Sequence, residues 1–220
     1  MVSLPPNRWL IVSRRSLLIA ASTLPFSRGC LAAASSEPVG SVTSSVGSAF
    51  LARAADKIAA TNGAPILLGD LVETGEASRL ALRLGAGTEI KLGARATLKI
   101  DRFVTGVSAK LHMGQGAFLV DHGPGSEPDF EVETPYALIA ARGTKFWGGA
   151  TDGLYGVYVI EGTVELQSAG KAVLCHPGMG TNLKAETGAA THSAEGREMP
   201  MMVPHAWPEQ RVQAALRTIQ

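Results

Sequence analysis

Leu80-Ala81-Leu82-Arg83-Leu84, the turn Gly85-Ala86-Gly87, Glu89-Ile90-Lys91-Leu92 and then Thr97-Leu98-Lys99-Ile100-Asp101 decide the fold class of this chain. Large apolar side chains fall on every second position, and small or glycine-rich turns separate the runs. A period of two sends neighbouring side chains to opposite faces, the pattern of half-buried strands; an amphipathic helix would need a period of 3.6. One face carries Leu80, Leu82, Leu84, Ile90, Leu92, Leu98 and Ile100. The other carries Arg83, Glu89, Lys91, Lys99 and Asp101, whose signs alternate as on a solvated outer surface.

The same signals continue on either side. Upstream, Ala64-Pro65-Ile66-Leu67-Leu68 is a short apolar run closed by a turn at Gly69-Asp70. Residues 50–60 are alanine-rich and read equally as a short helix or as a strand and turn. Downstream, strands are expected at 117–121, 130–134, 138–141 and 145–147, and a hairpin joins 155–160 to 163–166 through Glu161-Gly162. A further strand fits 172–175. Turn signals recur every eight to twelve residues or so, as in sandwiches, rolls and barrels. The expected fold is all-β: a single antiparallel sandwich or roll over 40–180, with residues 35–48 as a polar lead-in.

Composition agrees. Hydrophobic residues make up 45% of the chain, too many for wholesale disorder, and 25 glycines against 5% aromatics suit short strands and tight turns. The formal net charge of +1 leaves no basic footprint for nucleic acid.

Both ends read differently. Ser13-Arg14-Arg15-Ser16-Leu17-Leu18 is a twin-arginine export pattern, followed by a mildly apolar run over 17–26, then Arg28 and a small-residue cleavage site at Ala32-Ala33-Ala34. Residues 1–34 are therefore expected to be a signal peptide, too short and diluted for the roughly 20 apolar residues of a membrane span. Gly29-Cys30 is no lipobox, since Ser27 and Arg28 occupy its aliphatic and small positions. Cleavage would remove Arg8, Arg14, Arg15 and Arg28 and no acid. That leaves 16 basic residues against 19 acidic ones, a net charge of −3, with Cys175 the one cysteine. Residues 185–208 read as a linker rich in Pro and Met near its end. Residues 208–220 read as a helix, with Val212, Ala215, Leu216 and Ile219 on one face and its own domain as the expected packing partner.

Several blocks together resemble the FecR domain: Gly69-Asp70-Leu71-Val72-Glu73-Thr74-Gly75, Gly87-Thr88-Glu89-Ile90, Thr134-Pro135-Tyr136-Ala137 through Arg142-Gly143-Thr144-Lys145-Phe146, and Val159-Ile160-Glu161-Gly162-Thr163-Val164. The resemblance implies an all-β periplasmic domain. The best-known members control an extracytoplasmic-function sigma factor from a cytoplasmic segment that precedes one membrane span. Here only a cleavable leader stands before the domain, so a stand-alone exported module is expected, and direct sigma-factor control is placed in doubt. The motif residues Gly69, Asp70, Thr74, Gly75, Arg142, Gly143, Thr144, Glu161 and Gly162 read first as structural. The glycines suit positive φ or close backbone approach, Asp70 and Thr74 suit turn amides, and Arg142 suits backbone carbonyls or a carboxylate such as Glu131 or Glu133.

Catalytic motifs are not evident, and no cofactor is called for. The five histidines are scattered, and Cys175-His176 would point to opposite faces of a strand. Met199, Met201, Met202 and His205 are a soft-ligand cluster suited to Cu(I), against the simpler reading of a strap whose methionines cover apolar surface. The function expected is a non-catalytic binding or signalling module that engages a protein partner or an envelope glycan in the periplasm. A copper-handling or carbohydrate-active protein is the alternative.

Overall fold

The alternating runs become strands in the computed structural model, which describes residues 37–104, 107–123, 129–168, 170–183 and 202–220. The expected signal peptide, residues 35–36 of the lead-in, linker residues 185–201 and the candidate ligands Met199 and Met201 lie outside the described residues. The first ten strands are β1 Gly40–Val46, β2 Ala49–Arg53, β3 Asp56–Ala59, β4 Pro65–Ile66, β5 Leu71–Thr74, β6 Arg79–Leu84, β7 Thr88–Leu92, β8 Thr97–Val104, β9 Ser108–Gln115 and β10 Phe118–His122. They are followed by β11 Asp129–Glu133, β12 Leu138–Thr151, β13 Leu154–Ser168, β14 Lys171–Cys175, β15 Met179–Leu183, β16 His205–Ala206 and the helix α1 Glu209–Arg217. No helix among the described residues is long and apolar enough to cross a membrane.

All sixteen strands belong to one hydrogen-bonded sheet, folded along the hairpin β12–β13. The first half of β12 pairs with β11 and its second half with β10, while β13 follows it throughout and passes on to β14 and β15. Two half-sheets result. The first runs β3-β2-β5-β8-β9-β11 to the crease and on to β14; the second runs β4-β1-β6-β7-β10 to the crease and on to β15 and β16. Their inner faces share one core, in which Leu82, Ile90, Phe118, Phe146 and Val157 of the second half meet Leu98, Leu111, Phe130, Ile139 and Leu166 of the first.

The crease has a sequence cause. Pairing runs from Arg142↔Thr163 to Lys145↔Glu161 and then Phe146↔Val159, so each strand holds one extra residue. Inward positions change parity accordingly: Ile139 and Ala141 are followed by Thr144 and Phe146, and Val157 and Val159 by Val164 and Leu166. Gly143 (φ 58°) and Gly162 (φ 78°) supply the left-handed backbone, and a Cβ on Gly162 would lie 2.6 Å from the Gly143 carbonyl oxygen. Facing bulges of this kind bend and twist a ladder locally. The Glu161-Gly162 hairpin expected from sequence is therefore a bulge within one 15-residue strand, and the turn lies at Asp152-Gly153.

Two further differences concern strands. Residues 50–60 form β2 and β3, so the helical alternative is corrected. The reading from sequence assigns no strand to β9, although Ala109, Leu111 and Met113 alternate inward there. Its pairing with β11 is parallel, the exception in an otherwise antiparallel sheet.

Candidate partner-binding face

The motif residues gather at two structural joints. At the first, Gly69 (φ 86°) turns the chain, its N–H donating to the Ile100 carbonyl oxygen at 2.8 Å. This buries Asp70 completely. Its Oδ1 accepts from Arg53 Nε at 2.8 Å, and its Oδ2 accepts from Arg53 Nη2 at 2.7 Å and from the Leu67 N–H at 2.8 Å. Arg53 Nη2 also donates to the Pro65 carbonyl oxygen at 3.1 Å. The hydrogen bond to Asp70 holds the guanidinium above its ordinary pKa. Arg53 thus ties β2 to the turn before β5. The sequence reading misses that role, because a lone Arg in an alanine-rich stretch carries no motif.

Thr74 closes the other end of β5. Its Oγ1 donates to the Gly93 carbonyl oxygen at 2.6 Å and accepts from the Ala96 N–H at 2.7 Å. Gly75 donates to Ser48 and accepts from the Arg95 N–H, and a Cβ there would collide with Ser48 Oγ. The second joint is the crease, where Thr144 is buried while Glu161 is exposed. Arg142 is also exposed, with its Nε 3.7 Å from Asp129 Oδ1. The expected contact of Arg142 with carbonyls, Glu131 or Glu133 is corrected: the bulge turns this side chain outward, and the carboxylate beside it is that of Asp129.

The two half-sheets differ outside. The second is covered in part by the C-terminal segment. Trp207 stacks on Tyr158 and meets Trp147 edge-on, and Ala215 and Ile219 complete a small outer core with Leu119. The outer face of the first half-sheet is open. A shallow depression there has Ala140 in the register between Glu131 and Glu165, with Asp129, Arg142, Thr163 and Leu174 around it. Leu174 is 56% exposed on β14, the last strand of this half-sheet. Beside the depression, His112 lies between Asp101 (Nε2–Oδ2 3.4 Å) and Glu133 (Nδ1–Oε2 3.3 Å), and Lys110 Nζ is 3.0 Å from the same Glu133 oxygen. The hydrogen bond that Lys110 donates to Glu133 keeps its ammonium above the ordinary pKa. This surface suits an ionic and apolar contact with another macromolecule.

Metal chemistry finds little support in the placement of its candidates. Met202 is buried in the main core whereas His205 is exposed and directed at the Val203 carbonyl oxygen, so the fold does not bring those two together as ligands. Among the described residues no group of three or more His, Cys, Asp or Glu side chains is arranged to hold an ion. Cys175 is free and fully buried, and burial pushes its thiol up to about 11.

Comparison with known proteins agrees with the fold. The FecR protein family matches residues 70–165, from the buried Asp70 to the far side of the crease. Over these residues the chain is similar to FecR domains. The remaining strands, β1–β4 before them and β14–β16 after them, complete the same two half-sheets. Two crystal structures of a candidate anti-sigma factor from Parabacteroides distasonis, at 1.65 and 2.50 Å resolution, share the fold with a TM-score of 0.53 each. They are 19% identical to this chain over 66% of its length, and the chain spans 64% and 63% of theirs. No curated protein matches the chain.

Proposed function

We propose that this chain is an exported, non-catalytic FecR-type signalling module that binds a protein partner in the periplasm through the outer face of its first half-sheet. The observation that carries the reading is the asymmetry between the two outer faces. One is occupied by the chain's own C-terminal segment. The other leaves Glu131 and Glu165 with no salt bridge among the described residues, next to the exposed Leu174. Carboxylates at the rim of an apolar contact set orientation and association rate more than raw affinity. A partner surface with Lys or Arg opposite Glu131 and Glu165, and an apolar group against Leu174, fits this pattern. Export through the twin-arginine leader places the module in the periplasm, where family members receive their signals.

The test is site-directed photo-crosslinking in cells, with the reactive group at Ala140 and, as a control, at Thr61, which is exposed in the loop after β3. A discrete protein adduct from position 140 that disappears in Glu131→Lys/Glu165→Lys, with none from position 61, is the expected outcome. Adducts only to glycan material would redirect the reading to an envelope-glycan ligand. Adducts that ignore the charge reversal would refute the proposed face.

A further inference from the structure

The C-terminal segment is seated on the second half-sheet by both shape and charge. Trp207 lies in a slot floored by glycine: a Cβ on Gly156 would come within 2.6 Å of its Cη2, and one on Gly180 within 2.6 Å of its Cε2. Tyr158 stacks on the indole with ring centroids 5.3 Å apart, and Trp147 meets it edge-on at 6.0 Å. One helical turn later, Arg211 caps the same ring, its Cζ 3.9 Å from the centroid. The Arg211 Nη2 donates to Asn182 Oδ1 at 2.6 Å, and Asp152 Oδ2 lies 3.3 Å from its Nε. The seat therefore selects a tryptophan by shape and a cation four residues on by charge.

The fit is also incomplete. Among the described residues Trp207 Nε1 is buried without a hydrogen-bond partner, while Arg211 Nε faces Asp152 without hydrogen-bond geometry. A buried donor left unpaired weakens an association that its apolar area would otherwise favour. The helix has nine residues and no side-chain cap, a length that is marginal on its own. The outer cluster is distinct from the main core, and Met202 is the segment's residue that reaches the latter.

We propose that this seat is a binding site for a segment of another protein that carries a tryptophan and, one helical turn later, an arginine or lysine, and that residues 202–220 occupy it in cis as an internal competitor. The claim concerns the opposite face from the one in the preceding subsection and stands independently of it. A tethered competitor acts at an effective concentration of order millimolar. External segments then bind the unaltered chain weakly, and binding strengthens once the internal one is disabled.

The experiment uses the full chain and a fluorescently labelled peptide of residues 202–220 as the probe. The peptide is expected to bind Trp207→Ala at least about tenfold more tightly than the unaltered chain, and not to bind Trp207→Ala/Gly180→Val, in which the slot is filled. Absence of binding to a folded Trp207→Ala chain overturns the proposal, as does equal binding to all three chains. Arg211→Ala/Thr218→Ala, which removes polar tethers and leaves the aromatic packing, provides a milder second background with the same expected order. Hydrogen exchange on the unaltered chain gives an independent reading. Amides of α1 should exchange at least about tenfold faster than those of β6 and β7, and exchange of all three in one global step would overturn the proposal.

Discussion

Arg53 and Asp70 form an ion pair whose two members should tolerate loss unequally. The Asp70 side chain is fully buried, while that of Arg53 retains 31% of its exposure. In Arg53→Met the carboxylate would keep only the Leu67 N–H among its three donors, stranding a negative charge in the interior. Breaking a buried pair in this way destabilises by about 3–5 kcal/mol. In Asp70→Asn the charge disappears from the interior, and Arg53, already at the surface, can turn to water. Loss of charge-assisted hydrogen bonds then predicts a smaller penalty, about 1–3 kcal/mol. The double variant should cost less than the sum of the two, because neither partner is left stranded. For a domain of this size each kcal/mol moves Tm by roughly 2–4 °C, so Arg53→Met should melt roughly 6–20 °C below the unaltered chain. Thermal unfolding followed by circular dichroism, with urea titrations of all four proteins for the free energies, measures the order directly. If Asp70→Asn costs more than Arg53→Met, or if the two effects simply add, the argument from unequal burial is wrong.

Other outcomes follow from the joints and the core. Gly162→Ala forces a side chain into φ 78° and within 2.6 Å of the Gly143 carbonyl oxygen, and should cost about 2–4 kcal/mol in urea unfolding. Gly170→Ala, at φ 75° in open space, should cost only about 1–2 kcal/mol; equal losses would show that the crease is not tightly packed. Burial raises Cys175 from 9.0 to about 11 and pushes the Tyr155 phenol up from 10.0. Both groups hold their proton longer folded than unfolded. Stability should therefore fall with rising pH, from about 9 through Cys175 and from about 10 through Tyr155, by up to about 1.4 kcal/mol per pH unit for each group. Cys175→Val should delay the onset by about one pH unit, and an unchanged alkaline melting profile would count against this origin. Arg14→Lys/Arg15→Lys should leave uncleaved precursor in the cytoplasm on fractionation, and undiminished export would exclude the twin-arginine route.

Strand alternation made the core of the fold readable: Leu80, Leu82, Leu84, Ile90, Leu92, Leu98 and Ile100 all line the interior as their spacing required. Local pattern failed where two segments compensate each other. A glycine flanked by polar residues between two apolar runs looks the same in a hairpin turn as in a bulge. Only the facing extra residue at Gly143 makes Gly162 a bulge, and that relation spans the whole hairpin. Parallel pairing of β9 with β11 is likewise a tertiary choice, invisible in either strand alone. On the candidate face, Glu131 and Glu165 are ordinary solvated carboxylates in sequence. They become neighbours of one depression because β12 carries Ala140 between them. The C-terminal helix and its burial on its own domain were legible from the spacing of Val212, Ala215, Leu216 and Ile219. The glycine slot that receives Trp207 was not, since Gly156 and Gly180 lie on different strands.

The paired extra residues at the crease also act as a reading frame for the interior. Deleting Gly143 alone would leave Ile139, Ala141, Thr144 and Phe146 on one unbroken alternation but set β12 one residue out of register with β13 on one side of the crease. Deleting Gly162 as well would restore the frame between the strands while erasing the bend that divides the sheet. Length changes at this hairpin are therefore tolerable only in matched pairs, and even a matched pair would straighten the crease that divides the sheet.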